Sequence, residues 1–436
     1  MNSAPSDDDF DDLPGLVSAE AQEPDVNAPP GSEGDIEVAA SMHFQFQVDR
    51  LALRHAFLAT RLARAGDLVR MRISTDHVTI AAQNETMRYE ADLAFIGTSR
   101  VAADQAIVVE TQADLFTNFL CNRHVWNGNP KARGKAVTFF AVNVLPANLG
   151  EREPRQPGRW QIKSGHLDID WPFTYVGSGE TNDAVRTGSL VRPDEIARAL
   201  ALVYKFSEHA RSASQFGQVQ VQSSQARAGS PASVRVVTFP YRLADVDLRI
   251  VRENAGDLIE ALRQFDPVAT QMWVTEAEHG FSDASRRCAV ARASEGPNFA
   301  RLYGHAPIGL AIARNLDFSN SVCKIISQMR PDTDVVRLAL SSEEEGKLRF
   351  SVAVNGGTAV VTCPVQRVRI ELDASPSETH ELWLKGDALA NAVALPRADE
   401  IELHLFKHHV LFKQTDDNPA TAETFLIAQK APPPPL

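Results

Sequence analysis

The sequence repeats one arrangement of helices and strands three times. An amphipathic helix is predicted to open each copy, at 49–64, 193–210 and 315–330, and alternating strands follow it. A shorter second helix then begins around a shared aspartate, at position 114, 257 or 387, so the copies are 143 and 130 residues apart. This spacing is too long for a solenoid repeat. It predicts tandem copies of one α+β domain with helix–sheet–helix–sheet order.

The two ends of the chain differ in composition from the body between them. Residues 1–42 contain 11 acidic residues and no lysine or arginine, and we predict a disordered acidic arm at 1–41. Subtracting these 11 from the 56 acidic residues leaves 45 against 44 basic residues, so the body is nearly neutral. A proline-rich tail is predicted at 431–436. We place three domains between the two ends, at 42–180, 181–303 and 304–430.

Several protein classes are disfavoured by what the sequence lacks. Cys121, Cys288, Cys323 and Cys363 do not have the Cys-x-x-Cys spacing of a zinc site, which predicts no metal and a reducing compartment. No apolar run reaches the ~18 residues of a membrane-spanning helix, and no signal peptide is recognisable. Nucleophile-elbow, metalloprotease and phosphate-loop motifs do not occur either. We therefore expect a cytoplasmic protein that is not an enzyme and has no cofactor.

Two short motifs lie about 55 residues apart in the second domain. The first is Thr238-Phe-Pro-Tyr-Arg-Leu243, in a tight turn between strands predicted at 234–238 and 243–250, which together read as a hairpin. It resembles the Thr-Asp-Gly-His-Arg-Leu motif of the bacterial DNA sliding clamp, the β subunit of DNA polymerase III. The second motif, Pro297-Asn-Phe-Ala-Arg-Leu302, resembles that family's Phe-Pro-Asp-Tyr-Arg-Arg-Val.

The resemblance extends over about residues 43–430 and implies a divergent sliding clamp. Clamps of this family have three α+β domains per chain, and two chains form a ring of six domains around duplex DNA. The resemblance thus implies a homodimer that binds double-stranded DNA, DNA polymerase and the clamp loader, and no membrane. The departures at Phe239, Pro240 and Tyr241 put the peptide preference of such a clamp in question.

Basic residues recur on the helices that line the hole of a clamp. On the first helix, four arginines fall within roughly 80° of one another, and Leu51, Leu58 and Leu62 form a separate apolar stripe. The resemblance assigns seven residues to the DNA-facing surface: Arg50, Arg54, Arg61, Arg64, Arg198, Lys205 and Lys324. Such residues would contact phosphates and give no sequence preference.

The resemblance also implies a hydrophobic groove for partner peptides between the second and third domains. Such a groove needs an apolar floor and a few donors that fix the peptide's orientation. The groove positions of the family correspond here to Phe216, Thr238, Arg242, Leu243, Pro297, Arg301, Leu302, Leu426 and Ala428. We expect Leu243, Leu302 and Leu426 to meet in one place.

Two alternatives remain open from the sequence. One keeps the fold and changes the role, to a specialised clamp paralogue that serves a plasmid, phage or repair polymerase. The altered turn at 239–241 keeps this alternative open. The other is a nucleic-acid-processing enzyme with an unrecognised site, which a nuclease assay with Mg²⁺ or Mn²⁺ would detect.

Overall fold

The described structure begins at Gln45 and ends at Gln429. A computed structural model of the protein describes residues 45–97, 99–101, 106–113, 136–142, 156–164, 167–179, 188–208, 215–294, 302, 306–329, 335–341, 347–354, 357–370, 379–393, 399–415 and 420–429. The predicted acidic arm, the proline-rich tail, Pro297 and Arg301 lie outside these residues. Among the helices within them, none is long and apolar enough to cross a membrane.

The first copy contains two units, each of which begins with one strand and ends with three. The first unit consists of β1 (Gln45–Asp49), α1 (Arg50–Thr60), β2 (Leu68–Ile73), β3 (His77–Gln83) and β4 (Met87–Ala94). The second unit contributes β5 (Ala106–Gln112), β6 (Ala136–Val142), β7 (Gln156–Ser164) and β8 (Leu167–Gly179). Helix α1 begins where predicted, because Asp49 Oδ1 accepts a hydrogen bond from Ala52 N at 2.9 Å and so caps the first turn. The helix predicted around Asp114 lies outside the described residues.

The second copy repeats this order of elements. Its first unit consists of β9 (Ser189–Leu190), α2 (Pro193–Val203), β10 (Gln218–Ser223), β11 (Gln225–Gly229) and β12 (Ser233–Thr238). Its second unit consists of β13 (Ala244–Val251), α3 (Arg252–Leu262), β14 (Gln271–Val274), β15 (Glu278–Ser282) and β16 (Arg286–Ala291). Pro193 occupies the first turn of α2, where its missing N–H costs no hydrogen bond.

The third copy has the same order with one added strand. Its first unit consists of β17 (Gly309–Arg314), α4 (Asn315–Ile326), β18 (Val335–Ser341), β19 (Lys347–Val354) and β20 (Gly357–Pro364), and β21 (Arg367–Ile370) follows. Its second unit consists of β22 (Thr379–Lys385), α5 (Gly386–Val393), β23 (Glu400–Leu405), β24 (His409–Thr415) and β25 (Thr421–Ile427). The opening helices α1, α2 and α4 therefore end earlier than predicted, and short 3₁₀ turns at Arg61–Ala63 and Tyr204–Phe206 follow the first two.

Among the described strands, each copy contains two antiparallel groups of four strands; β8 also pairs with β5, which joins the two groups of the first copy into one sheet, and β21 pairs with β17 at the edge of one group of the third. The orders are β5-β2-β3-β4 and β1-β6-β7-β8 in the first copy, β13-β10-β11-β12 and β9-β14-β15-β16 in the second, and β22-β18-β19-β20 and β17-β23-β24-β25 in the third. In every group, the first strand of one unit thus joins the last three strands of the other. Because this exchange recurs in all three copies, the predicted fold class, tandem α+β domains, is confirmed.

The turn at 239–243 does not close a hairpin, contrary to the sequence prediction. The strands on either side of it, β12 and β13, lie at opposite edges of one sheet and do not pair with each other. The turn crosses the end of that sheet, where Phe239 N donates to Ser224 O and Leu243 N donates to Ser223 O, both at 2.8 Å. The prediction failed because β12 ends one unit and β13 begins the next, so short sequence separation did not mean pairing.

Two sheets continue from one copy into the next. β4 of the first copy pairs with β16 of the second, and β12 of the second pairs with β25 of the third. One face of the first junction is ionic, since Arg287 on β16 lies 3.4 Å from Glu90 and 3.0 Å from Asp92 on β4. The second junction is apolar, with Val234 and Val236 on β12 in one buried cluster with Phe425 on β25.

A buried histidine makes the stability of the second copy depend on pH. His279 on β15 is fully buried, and its Nε2 accepts a hydrogen bond from Arg249 N on β13 at 3.0 Å. Burial, with the nearby positive charge of Arg292, lowers the pKa of His279 from 6.5 to about 4, although Asp247 opposes the shift. The unfolded chain therefore binds a proton before the folded chain does.

We expect the free energy of unfolding to be highest above pH 6.5 and to fall as the pH drops toward 4. One group with this shift contributes at most about 3 kcal/mol over the range. Replacing His279 by Gln keeps an acceptor and removes the titration, so the loss between pH 7.5 and 5 should shrink by roughly 2 kcal/mol in urea denaturation. The control is His55→Gln, at an exposed position on α1. An unchanged pH dependence in His279→Gln would show that other groups dominate.

Candidate functional site

Helix α1 turns a different face to the core from the one its sequence suggested. The residues it buries include Leu53, Ala56 and Phe57, whereas the predicted stripe of Leu51, Leu58 and Leu62 stays only half-buried. Both stripes recur at helical spacing, and only packing on the sheet distinguishes them. This rotation decides which arginines of the helix reach solvent.

Two of the four arginines that the first predicted helix was expected to turn toward DNA are exposed. Arg54 and Arg61 lie seven residues apart, about two helical turns, and so on one side of the helix. Neither forms an ion pair with a described residue. Arg50 is half-buried beside the cap residue, and burial lowers its pKa. Arg64 retains only 6% of its side-chain exposure, because it donates to Phe57 O and lies 3.9 Å from Asp67, so it is a poor candidate for a DNA contact.

The other helices carry less positive charge on their exposed sides. On α2, Arg198 lies 3.8 Å from Glu195 and stacks 5.8 Å from the ring centre of Phe239. Lys205 is exposed on the 3₁₀ turn after α2, and Lys324 is exposed in the last turn of α4. The exposed positive charge assigned to DNA contact is therefore greatest on α1 and the 3₁₀ turn that follows it.

The turn at 239–243 is tied to helix α2. Phe239 is buried, and Tyr241 packs against it with ring centres 5.6 Å apart. The Tyr241 hydroxyl donates to Glu195 on α2, and burial together with this bond raises the pKa of Tyr241 to about 12. Arg242 points away and lies 3.0 Å from Asp245, with 64% of its side chain exposed. The residues that depart from the clamp motif thus fix the turn in place.

The described residues of the predicted groove do not form one apolar surface. Leu243 is buried in the core shared by the first and second copies, and Leu426 is buried in the core of the third. Leu302 instead packs on a third group, which we call the junction cluster: Val234, Val236, Phe406, Leu411 and Phe425. The expectation that the three leucines meet is therefore not met.

A register difference of one residue explains where Leu426 lies. Successive side chains of a strand point to opposite faces, so Phe425 and Leu426 on β25 face opposite ways. Phe425 is the neighbour of Leu302 in the junction cluster, although the motif comparison had selected Leu426. Alternation alone does not say which face lies outward, and the deciding observation is the pairing of Val234 with Phe425.

The remaining groove residues are spread around these clusters. Thr238 ends β12 half-buried and accepts a hydrogen bond from Gln225 Nε2 at 3.3 Å. Phe216 is half-buried, and its carbonyl accepts from Glu208 N at 3.0 Å. Ala428 packs against the core of the third copy, and its N–H donates to His408 O at 2.8 Å. Thr238 and Arg242 bound the same turn, so the structure brings together this part of the motif.

One position of the repeat has three different environments. The position lies on the last strand of each first unit, three residues after the residue that closes the hairpin before that strand. It is occupied by Glu90 on β4, Val236 on β12 and Val360 on β20. Glu90 pairs with Arg287 across the first junction, and Val236 is buried at the second. Val360 is 47% exposed, and no described strand pairs with its edge of β20. The third copy therefore ends in a junction-type edge without a partner.

A complementary edge lies on the first copy. β8 corresponds to β16 and β25, the strands that receive β4 and β12 at the two junctions. Residues 173–179 of β8 pair with β5, but residues 167–172 have a side that no described strand pairs with. One chain thus presents two unpaired edges: the edge of β20 corresponds to those of β4 and β12, and the edge of β8 corresponds to those of β16 and β25.

Comparison with known proteins gives matches only among solved structures. No family profile matches the sequence, and no curated protein does. A beta sliding clamp from C. crescentus superposes with a TM-score of 0.69 at 12% identity, covering 90% of this chain and all of that one. A DNA polymerase sliding clamp from Bacillus subtilis gives 0.66 at 12% identity over 90% of this chain, again covering all of the other. The DNA polymerase III beta subunit of Thermotoga maritima gives 0.66 at 10% identity over 89% of this chain and all of its own.

At these identities the likeness establishes the fold. The chain has the three-domain architecture of the bacterial sliding clamps, as its motifs indicated. The arrangement of strands is thus shared at a sequence identity of only 10–12%.

Proposed function

We propose that the protein is a sliding clamp, a ring of two chains that encircles duplex DNA and tethers a DNA polymerase. The clamp loader and other proteins that carry a clamp-binding peptide motif would be its further partners. It would act in the cytoplasm without a cofactor and without catalysing a reaction. Domains at 42–180, 181–303 and 304–430 would supply three of the six units of the ring. The observation that carries the proposal is the pair of unpartnered edges on β8 and β20.

The two junctions within the chain support the proposal of ring closure. At each one, the last strand of a first unit pairs with the last strand of a second unit. Repeating that contact between chains would pair β20 of one copy with β8 of another. Such a contact joins different surfaces of the two chains. It gives a closed ring of two chains if the rotation from one chain to the next is half a turn. Pairing would also cover edges that otherwise invite aggregation.

The arginines on α1 support the DNA-binding part of the proposal. Arg54 and Arg61 are exposed and free of ion pairs with described residues, as contacts to a phosphate backbone require. A ring needs little intrinsic affinity, because topology keeps it on a closed duplex.

Reversing the charge of these two arginines should weaken binding to duplex DNA. The double variant Arg54→Glu/Arg61→Glu removes about two phosphate contacts per chain, so the salt dependence of log K should weaken by about two per chain. The measurement is the equilibrium constant K for binding to a short linear duplex, on which topology does not hold the protein, at several salt concentrations. The matched control is Lys347→Glu/Lys407→Glu, at exposed positions on β19 and before β24. Equal affinity of the two double variants for the linear duplex would contradict the assignment of Arg54 and Arg61 to DNA contact.

A specialised clamp is the second candidate, and the turn at 239–243 favours it. The bond between Tyr241 and Glu195 and the burial of Leu243 leave few apolar groups at the turn for a peptide to contact. A fluorescent Gln-x-x-Leu-Phe peptide separates the candidates, because a standard clamp binds it and a clamp with other partners does not.

A further inference from the structure

A polar pocket lies where the second copy meets the third. It has a volume of about 740 Å³ and is lined by the 3₁₀ turn after α2, the turn between β11 and β12, the first residue of α3, the start of α5 and Gln429. Helices α2, α3 and α5 each border the pocket near one of their ends.

Three cations surround this pocket. Lys205 is exposed and has no ion pair with a described residue, and Arg252 donates to the carbonyl of Ser207. Lys385 lies 3.2 Å from Asp387, whose side chain is largely exposed. Glu208 is the other acid of the lining. The lining thus carries one more positive than negative charge.

A fourth cation lies directly behind the wall. Arg235 on β12 is 2% exposed, and its guanidinium stacks 4.4 Å from the ring centre of Phe206, a residue of the lining. It donates to Thr424 Oγ1 and to two backbone carbonyls, but no carboxylate among the described residues pairs with it. An uncompensated charge in a buried site strongly favours an anion nearby, because the low local dielectric screens the attraction weakly.

We propose that this pocket binds the phosphate backbone of a nucleic-acid strand, with Lys205 and Lys385 as the contacting cations. The size fits a segment of one or two nucleotides, since pockets for ligands of that class span about 300–1,000 Å³. The hydroxyls of Ser230 and Ser233 and the amide of Asn391 add neutral donors for phosphate oxygens. No aromatic face is exposed in the pocket, because Phe206 is buried, so binding is independent of base.

The inference rests on the proposed function in one respect. In a ring around duplex DNA, a pocket at the helix ends lies where a strand leaves the hole, so it suits the single-stranded part of a primer–template junction. Binding of a short single strand does not require a ring, however. A short oligonucleotide therefore tests the pocket separately from encirclement.

The experiment is a titration of the full chain with a fluorescein-labelled oligothymidylate of about six nucleotides, a length within the usual site size for single strands. Fluorescence anisotropy is measured at several salt concentrations. We expect Lys205→Ala/Lys385→Ala to weaken binding about tenfold at low salt, and to reduce the slope of log K against log salt by about 1.4, or 0.7 for each lost contact. Both lysines are surface residues, so the fold should persist, which circular dichroism checks.

Two control variants make the outcome decisive. Lys347→Ala/Lys407→Ala removes the same charge elsewhere and should bind the oligonucleotide like the parent. Arg54→Glu/Arg61→Glu should bind linear duplex DNA less tightly yet keep most of its affinity for the oligonucleotide. Equal affinity of the Lys205/Lys385 variant and the parent overturns the inference, as does a parent that does not bind at low salt. If instead the oligonucleotide binds at the pocket while the parent is not retained on circular DNA, the pocket stands and the clamp proposal fails.

Discussion

Replacing Val360 by Asp is expected to convert a dimer into a monomer. Val360 is 47% exposed on an edge of β20 that no described strand covers, and its counterparts Glu90 and Val236 both lie in strand-to-strand junctions. A carboxylate there would be buried without a cation on pairing with β8, which itself carries Asp170. An unpaired buried charge costs about 3–5 kcal/mol, which corresponds to roughly a 150- to 5,000-fold weaker contact.

Sedimentation at micromolar concentration measures this effect. The parent should give about twice the chain mass of 47.7 kDa, and the variant should give the chain mass itself. Retention on circular DNA should be lost together with the dimer. Val268→Asp is the matched control, since Val268 is 81% exposed in a turn and belongs to no edge. A parent that is monomeric at every concentration, or a Val360→Asp variant that stays dimeric, would contradict ring closure through β20.

The fold could be predicted because its signals are local and recur. Three amphipathic helices, each followed by alternating strands, indicate one α+β unit. Because the pattern occurs three times, a signal that is weak in one copy is supported by the other two. The exchange of first strands between units left no trace in the sequence. Pairing partners such as β12 and β25, almost 190 residues apart, are chosen by tertiary packing. The same limit produced the false hairpin at 239–243.

The candidate site was harder to predict because it depends on small rotations. On α1, a choice between two apolar stripes determined that Arg54 and Arg61 would be exposed and Arg64 covered. On β25, one step of alternation separates Phe425 in the junction cluster from Leu426 in a core. A motif match gives the approximate position along the chain, but the angle of a helix or the face of a strand is decided by what packs against it.

Truncation of Arg235 to Ala should cause the largest loss of stability among single changes at the second junction. Its guanidinium reaches Thr424 Oγ1 at 3.0 Å and the carbonyls of Leu202 and Ala392 at 3.4 Å. These partners belong to β25, α2 and α5, so one side chain bridges the second and third copies. Burial lowers the pKa of Arg235 to about 9, yet at neutral pH the group remains charged and a donor.

The free energy of unfolding should fall by roughly 3–5 kcal/mol in Arg235→Ala, because the change leaves a cavity beside Phe206 and removes the donor from three buried acceptors. Urea denaturation followed by fluorescence should show an earlier transition, and limited proteolysis should cut between the second and third copies. Arg242→Ala is the matched control on the same stretch of chain, where an exposed side chain predicts a change within about 0.5 kcal/mol. Arg235→Lys keeps the charge but not the forked set of donors, so its loss of unfolding free energy should fall between those of Arg235→Ala and Arg242→Ala. A loss below about 1 kcal/mol in Arg235→Ala would mean that water replaces the guanidinium, and that the junction is held by Val234, Val236 and Phe425 alone.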